Sequence, residues 1–368
     1  MKILYLTNIP SPYIVNYFNE LGKLCDLTVV FEKKSSTERN GRWDNFKFDN
    51  FNGKILKGVS TGVDSAFSIG VLKYLSIKKY DYIIITNPST PTGIISILYM
   101  KFFRIPYILE SEGGFAGSGK GIKERLKRFL MKNAKYYFST NKIGDDYFIK
   151  YGAVKEKIIK YPFTSLFQKD ILEKPLYIDE RKIFKNEYNV QGEKAAVCIG
   201  RFIKLKNFDW LINKWKEANE NHFLYLIGEG PEKDNYLQLI KTHQLKNVII
   251  WDYFEKDKLL DVLRAFDILV HPTLSDVWGL VVNEALAKSL PVITTPMCIA
   301  GDEIIVNGYN GYISNPDYHF FNLITKILND DVLLKQLSIN ALESIKAFTF
   351  ENMAKVHLDE LLRIKENE

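Results

Sequence analysis

Hydrophobic and polar residues follow two patterns along the first half of the chain. Short runs rich in Ile, Val, Leu and Tyr predict buried strands, and apolar residues spaced by three and four between those runs predict amphipathic helices. The predicted strands are 3–6, 27–31, 82–86, 107–109 and 136–139. The predicted helices lie near 14–24, 67–79, 92–103, 121–133 and 142–150. This alternation favours a parallel sheet with helices on both faces.

The same alternation restarts in the second half. Residues 161–192 are less periodic and carry two prolines and many charges, so we interpret them as the connection between two domains. The predicted strands that follow are 196–199, 223–227, 248–251, 268–270 and 292–294. The predicted helices lie near 207–219, 232–243, 256–265 and 280–289, and the chain after 311 reads as helical to its end with a break near 347–350.

The pattern therefore predicts an α/β protein of two doubly wound, Rossmann-like parallel-sheet domains, 1–168 and 169–349, with a C-terminal segment 350–368. A length of 368 residues agrees with two domains, at one domain per ~150 residues. Ligands of such sheets bind outside the carboxyl ends of the strands. We therefore expect the functional site in a central cleft that the two domains face.

Composition adds an asymmetry of charge to this picture. The formal net charge is +6, but residues 1–168 carry 26 Lys and Arg against 14 Asp and Glu, whereas residues 169–368 carry 24 against 30. A basic half suggests an anionic partner, such as nucleic acid, a membrane surface or a phosphorylated substrate. No nucleic-acid-binding motif accompanies the basic residues, so we expect no nucleic-acid partner.

Cysteine usage and hydropathy indicate a cytoplasmic protein. Three scattered cysteines, Cys25, Cys198 and Cys298, form neither a disulfide framework nor a zinc ribbon. The apolar start of the chain is too short for a signal-peptide core and meets Pro10 at once. The longest apolar stretch, 94–103, is about half the length that a membrane-spanning helix needs.

A glycine-rich loop follows the predicted strand 107–109. Residues 114–120 match the first seven positions of a Walker A loop, but Gly121 stands where that loop has a magnesium-binding Ser or Thr. An NTPase is therefore a weak alternative, beside a mobile loop and an active-site loop whose glycines let the backbone approach a ligand.

A basic amphipathic segment comes next, at 121–135. Its apolar residues recur at spacings of three and four, and five basic residues occupy the other positions up to Lys132. The segment is interpreted either as a helix packed on the core with a solvated face, or as a helix attracted to anionic lipid head groups.

Two turns of the second domain could contact a ligand. Gly200 and Arg201 follow the strand 196–199, and Lys206 precedes the next helix, so a planar fork of donors and a mobile ammonium would face a diphosphate. Gly228 and Gly230 form a tight turn after the strand 223–227. Each turn is also compatible with an ordinary strand–helix connection.

The segment 271–287 carries the most information. Asp276 lies in a loop after a strand, and Glu284 lies about one turn into the following helix. Between them, the backbone N–H groups of Gly279, Leu280 and Val281 would lie at a helix N-terminus, which attracts anions. The segment thus offers a carboxylate, an anion site and a second carboxylate, which suits a ligand with a phosphate between two hydroxylated groups.

These three segments, in this order and spacing, resemble the retaining nucleotide-sugar glycosyltransferases of family four (group 1), which have the GT-B fold. The resemblance covers most of the second domain, and the start Asn8-Ile9-Pro10-Ser11-Pro12-Tyr13 resembles a subgroup that modifies bacterial cell-surface polysaccharides. It implies an N-terminal acceptor-binding domain, a C-terminal donor-binding domain and a C-terminal helix that crosses back to the first domain.

The resemblance implies a role for each matching residue. Arg201 and Lys206 would bind the donor diphosphate, Asp276 the hydroxyls of the transferred sugar and Glu284 the donor ribose. The residues that would contact the donor are Gly200, Gly228, Gly230, Gly279, Leu280, Val281 and Glu284. Catalysis would depend on Arg201, Lys206, Asp276 and Glu112.

The chain departs from the family pattern at several of these places. Asp276 replaces the first Glu of the pair, and Asn207 replaces the usual Gly after the Lys. Many relatives carry a His after the strand 107–109, and here that place falls on Glu112, or on Glu110 if the register shifts by two. Glu112 is either an ordinary loop carboxylate or an acceptor-binding or catalytic one.

The resulting prediction is a retaining hexosyl- or N-acetylhexosaminyltransferase that uses a UDP- or GDP-sugar and a saccharide, possibly lipid-linked, as acceptor in surface polysaccharide assembly. The resemblance implies attack on the same face of the sugar as the leaving diphosphate, without a cofactor and without a metal requirement. We expect the enzyme at the inner face of an anionic membrane. The alternative is a non-catalytic sugar-nucleotide-binding subunit of a glycosyltransferase complex.

Overall fold

The computed structural model describes residues 1–36, 46–115, 119 and 121–367, without the side chain of Tyr318. The chain divides into two units. The first unit contains residues 1–164 together with the segment from Thr349 onward, and the second contains residues 165–348. Each unit is built on its own parallel sheet.

Seven parallel strands form the sheet of the first unit, in the order β3-β2-β1-β6-β7-β8-β9. The strands of this unit, including the antiparallel pair β4 and β5, are β1 (Lys2–Thr7), β2 (Asp26–Phe31), β3 (Asn52–Ile55), β4 (Val59–Ser60), β5 (Ala66–Phe67), β6 (Tyr82–Ile85), β7 (Ile108–Ser111), β8 (Tyr136–Ser139) and β9 (Ile158–Lys160). Its first four helices are α1 (Pro12–Gly22), α2 (Pro91–Phe102), α3 (Ile122–Met131) and α4 (Lys142–Lys150).

Six parallel strands form the sheet of the second unit, in the order β12-β11-β10-β13-β14-β15. These strands are β10 (Lys194–Ile199), β11 (His222–Ile227), β12 (Val248–Trp251), β13 (Ile268–His271), β14 (Val292–Thr294) and β15 (Gly311–Ile313). The helices are α5 (Ile178–Tyr188), α6 (Phe208–Trp215), α7 (Lys233–Thr242), α8 (Lys256–Val262), α9 (Leu280–Ala287), α10 (Ile299–Ile304), α11 (Tyr318–Asn329) and α12 (Asp331–Ile345).

The last helix, α13 (Phe350–Glu366), returns to the first unit and packs on α1. Thr349 caps it by accepting a hydrogen bond from the Asn352 N–H. Its buried residues recur every three or four positions, and His357 lies among aromatic rings, with its centroid 5.2 Å from that of Tyr17. Because successive strand residues point to opposite faces, Leu4 meets the core under α2 while Tyr5 packs on Phe18 of α1.

The strand–helix alternation is confirmed for most elements, and the exceptions have physical reasons. Helix α5 lies inside the predicted connection because its inward residues, Arg181 and Lys185, are charged and therefore hide the apolar period. The helix predicted near 67–79 is instead β5 followed by a short 3-10 segment, Ile69–Tyr74, in which only Val71 is buried. Strands β9 and β15 are three residues long and only partly buried, unlike the equally short but fully buried β14, so they carry no clear apolar run.

Candidate functional site

The predicted residues Lys206 and Asp276 lie in the loops that follow β10 and β13, the two central strands of the second sheet. The chain continues from β10 to β11 on one side of this pair and from β13 to β14 on the other, so the pair marks the topological switch point of the sheet. The loops that follow the two strands are joined, because the Leu274 N–H donates to the Leu205 carbonyl oxygen at 2.9 Å. The Asn207 amide, in the left-handed region at φ 59°, donates to the Pro272 carbonyl oxygen at 3.1 Å.

A cluster of three charged or ionisable side chains lies at this junction. The Lys206 ammonium contacts Asp276 Oδ2, and His271 Nε2 lies 3.0 Å from the same oxygen. Burial opposes ionisation of Asp276, but the His271 hydrogen bond and the Lys206 charge together hold its pKa well below the usual range. Burial lowers the pKa of His271, which is fully buried at the end of β13. Asp276 is therefore a carboxylate held by a lysine.

The N-terminus of α9 follows Asp276 directly. Gly279 adopts φ +97°, and a Cβ atom at this position would lie 2.6 Å from Cys298 Sγ, so the turn requires glycine. Leu280 and Val281 begin the helix, where backbone N–H groups have no acceptor within the helix and attract anions. Two backbone bonds fix the loop, from the Asp276 N–H to Met297 at 2.8 Å and from the Ile299 N–H to Asp276 at 3.3 Å.

Glu284 lies one turn further along α9 and is half-buried. Its Oε1 accepts a hydrogen bond from Ser165 Oγ at 3.0 Å. Lys256 Nζ donates to the Ser165 carbonyl oxygen and lies 2.9 Å from Asp170 Oδ2, which fixes the Ser165 backbone. Burial raises the pKa of Glu284 to about 7, although Lys256 and the Ser165 hydroxyl partly oppose this rise.

The glycine turns bring the first loops of the second unit close together. A Cβ atom on Gly228 would lie 2.0 Å from the Gly200 carbonyl oxygen, and one on Gly230 would lie 2.5 Å from that of Phe202. Both positions therefore require glycine for backbone packing, and their predicted contact with a nucleotide stays a prediction. Arg201, which follows Gly200, is exposed.

In the first unit, Glu110 within β7 and Glu112 directly after it line one small cavity. Glu110 accepts a hydrogen bond from Tyr5 OH at 2.9 Å, and His357 Nε2 lies 3.4 Å from the same Oε2 atom. Glu112 Oε2 accepts from Tyr13 OH at 3.3 Å. The cavity is lined by Thr7, Tyr13, Ile14, Tyr17, Phe18, Thr86, Glu110, Glu112, Phe163, Thr164 and Met353.

The two carboxylates differ in their surroundings. Glu110 is almost fully buried, whereas Glu112 is half-buried and faces the cavity. Burial and the nearby charge of Glu110 raise the pKa of Glu112 to about 7, and the Tyr13 hydroxyl partly opposes this rise. Of the two alternatives, Glu112 is therefore the more accessible carboxyl group, and its acceptor-binding or catalytic role stays a prediction.

Comparison with known proteins relates most of the second unit to a known family. Residues 179–344 match glycosyl transferases group 1. An uncharacterized glycosyltransferase of Methanocaldococcus jannaschii is 27% identical over 270 residues, which are 71% of this chain and 69% of that protein. The alpha-monoglucosyldiacylglycerol synthase of Acholeplasma laidlawii is 23% identical over 72% of this chain and 70% of that protein.

The fold agrees with this match. The solved structure of Anabaena HepE in complex with UDP and glucose covers 98% of this chain and 99% of its own, with a TM-score of 0.74 and 16% identity. The predicted fold class, two Rossmann-like parallel-sheet domains of the GT-B kind, is confirmed. The match to group 1 covers residues 179–344, and the likeness of fold extends over nearly the whole chain.

Sequence reasoning missed two residues that hold the carboxylates of the group 1 segment. His271 opens the segment 271–287 but had no predicted role. Ser165 is separated from Glu284 by 119 positions, so no local pattern could pair these two residues. The Walker A comparison depends on residues 116–118 and 120, which lie outside the described residues. Glu112 belongs to the first unit and is not part of the segment that matches group 1.

Two searches of the described part of the chain bear on metal and membrane. Among those residues, no group of three or more His, Cys, Asp and Glu side chains could hold a metal ion. A reaction without a metal or cofactor stays a prediction. No helix within the described ranges is long and apolar enough to cross a bilayer.

Proposed function

We propose that this chain transfers a sugar from a UDP- or GDP-sugar to a saccharide acceptor, possibly a lipid-linked oligosaccharide, with retention of configuration. The observation that carries the proposal is the cluster of Lys206, Asp276 and His271 beside the N-terminus of α9. It combines a cation and the backbone N–H groups of a helix N-terminus for a diphosphate with a carboxylate for sugar hydroxyls.

Donor binding would separate Lys206 from Asp276, because each would contact a different part of the donor. Lys206 and Asp276 contact each other in the structure described here. The diphosphate of a donor would take the Lys206 ammonium, and hydroxyls of the sugar would take the Asp276 oxygens, so the ion pair would be exchanged for ligand contacts. Arg201 would add a second cation to the diphosphate, and Glu284 would accept hydrogen bonds from the ribose.

The chemistry follows from these positions. As the bond between the anomeric carbon and the diphosphate oxygen breaks, negative charge grows on the leaving group beside Lys206, Arg201 and the start of α9. Preorganised donors of this kind usually supply the largest part of the rate enhancement. The acceptor hydroxyl attacks the same face and passes its proton to the leaving phosphate, so no residue of the protein needs to form a covalent intermediate.

The acceptor would bind in the first unit, with Glu112 accepting a hydrogen bond from one of its hydroxyl groups. The half-buried position of Glu112, beside the Tyr13 hydroxyl, suits this task. A lipid-linked acceptor is supported by a relative that is named as a synthase of alpha-monoglucosyldiacylglycerol. It would place the enzyme on the cytoplasmic face of a membrane, in the assembly of a surface polysaccharide or capsule.

Release of nucleoside diphosphate from a panel of UDP- and GDP-sugars, with and without lipid-linked acceptors, tests the proposal. Lys206→Ala should reduce the rate by about 10²–10³. Lys204→Ala is the matched control, because Lys204 lies exposed on the same 3-10 turn and should keep the wild-type rate. EDTA should leave the rate unchanged, and the anomeric configuration of the product should equal that of the donor.

Three outcomes would contradict the proposal or its assignment of the diphosphate site. No turnover with any donor and acceptor rejects the transferase, and donor binding without turnover would favour the non-catalytic sugar-nucleotide-binding subunit. Equal loss of activity in Lys204→Ala and Lys206→Ala would reject the assignment of the diphosphate site while leaving the activity itself in place.

A further inference from the structure

The helices α2 and α3 expose an apolar surface that nothing in the donor or acceptor site uses. On α3, Ile122, Leu126 and Phe129 are spaced by four and three residues and therefore share one face. On α2, Leu98 and Phe102 are spaced by four, and Phe103 follows. We call these six residues the α2–α3 apolar surface.

Their exposure is unusual for residues of this size. Ile122 is 86% exposed, Phe102 82% and Phe129 55%. The sequence pattern allowed a helix whose apolar residues pack on the core, but only Leu130 and Met131 of α3 are buried. Large apolar side chains that remain exposed as a group mark a site of interaction with a partner or a membrane.

The two helices form one continuous surface. Lys101 of α2 donates from its Nζ atom to the carbonyl oxygen of Lys132, just after α3, at 2.7 Å, and the same ammonium lies 5.3 Å from the ring centroid of Phe129. The rings of Phe102 and Phe103 pack edge to face at a centroid distance of 4.9 Å. The basic side chain of Lys101 thus lies between the apolar residues of the two helices.

Basic residues flank these apolar residues along both helices, with one acidic residue among them. The basic residues of the segments 91–104 and 121–132 are Lys101, Arg104, Lys123, Arg125, Lys127, Arg128 and Lys132. The acidic residue of these segments, Glu124, accepts a hydrogen bond from Tyr151 OH at 2.6 Å and is thus directed toward the protein. The surface is therefore apolar at its centre and cationic at its edge.

We propose that the α2–α3 apolar surface inserts into the interface of an anionic lipid bilayer. A helix that lies in such an interface buries its apolar face at the level of the head groups and places its Lys and Arg beside anionic lipids. The pattern of charge selects this partner, because a cationic edge complements a surface of phosphate groups. The inference does not depend on transferase activity, and its test needs no turnover.

Co-sedimentation of the full chain with vesicles tests it. We expect binding to equimolar phosphatidylcholine and phosphatidylglycerol, little binding to pure phosphatidylcholine, and weaker binding as the salt concentration rises. The variant Phe102→Ser with Phe129→Ser should bind at least about tenfold more weakly, because two exposed rings no longer enter the bilayer. Lys123→Gln with Arg125→Gln should lose about fivefold per charge on anionic vesicles.

Matched controls come from the second unit. Lys241→Gln with Lys246→Gln removes two exposed lysines, and Val332→Ser removes an apolar side chain that is 80% exposed. These variants should bind vesicles like the wild type. Circular dichroism and the thermal midpoint of each variant verify that folding is unchanged.

Three results would overturn the proposal. If the chain binds neither vesicle, or if the control variants lose as much vesicle binding as the surface variants, the basic residues of the first half are only a solvated surface. Equal binding to both vesicle compositions would remove the role of the cationic edge. A dimer that dissociates in Phe102→Ser with Phe129→Ser, observed by sedimentation equilibrium without lipid, would assign the surface to a second copy of the chain.

Discussion

Substitution of Glu284 by Gln should stabilise the protein near neutral pH while weakening donor binding. Burial raises the pKa of Glu284 from 4.5 to about 7, so the folded state holds this proton more tightly than the unfolded state does. Stability is therefore unaffected below about pH 4.5 and falls as the pH rises from there to about 7. At 1.36 kcal/mol per pH unit, the wild type loses at most about 3 kcal/mol across this window.

Glutamine keeps the shape of the side chain and an oxygen that can accept from Ser165 Oγ, but it carries no charge to bury. The thermal midpoint of Glu284→Gln should therefore rise relative to that of the wild type by up to about 6 to 12 °C between pH 4.5 and pH 7.5, as expected for a domain of this size. The exposed Glu220→Gln is the control and should follow the wild type.

Donor affinity should change in the opposite direction. A ribose hydroxyl bonded to a neutral amide instead of a carboxylate loses about 1 kcal/mol or more, which titration calorimetry with the donor would detect as a several-fold rise in Kd. If the midpoints of Glu284→Gln and wild type run parallel from pH 4.5 to pH 7.5, the argument from burial is wrong. If the affinity is unchanged, Glu284 does not contact the donor.

Two further predictions concern the backbone and the core. Gly279→Ala should reduce the free energy of unfolding by about 1–3 kcal/mol in urea denaturation, because the new Cβ would clash with Cys298 and the positive φ would be strained. Gly121→Ala is the control and should keep the wild-type stability, because a Cβ at this position meets nothing within 4 Å. Equal urea midpoints for the two variants would contradict this interpretation of the turn. His357→Ala should reduce the free energy of unfolding by about 2–4 kcal/mol, because it leaves a cavity among aromatic rings beside Glu110. The exposed His319→Ala is the control and should reduce it by less than about 0.5 kcal/mol. Similar losses in the two variants would refute the packing role of His357.

Much of the fold could be predicted because the central strands of both parallel sheets are buried on both faces. A central parallel strand such as β1 or β10 must be apolar throughout, so its signal survives in a short window of sequence. The same rule fails for α5, because Arg181 lies buried and donates to four backbone carbonyl groups, including that of Phe266 at 2.7 Å. A charged residue that is buried for its hydrogen bonds cannot be distinguished in sequence from a solvated one.

The candidate site was predictable where its residues are close in sequence. Asp276 and Glu284 bracket a helix start, so a local pattern contains both. The contact between Lys206 and Asp276 is set by the pairing of β10 with β13, which only the sheet order reveals. The amphipathic pattern of α3 predicted the helix but could not show that Phe129 remains exposed, because exposure depends on what packs against a helix.

The return of the last helix to the first unit has a consequence for synthesis of the chain. The first unit is discontinuous, since residues 1–164 are completed by the segment that begins at Thr349. A ribosome that adds about 5–20 residues per second needs roughly 10 to 40 s to translate the intervening unit. During that interval the surface of α1 that receives α13, including Tyr17, lacks its covering helix. The second unit can therefore finish folding before the first, and the nascent first unit is the part of this protein that a chaperone would need to protect.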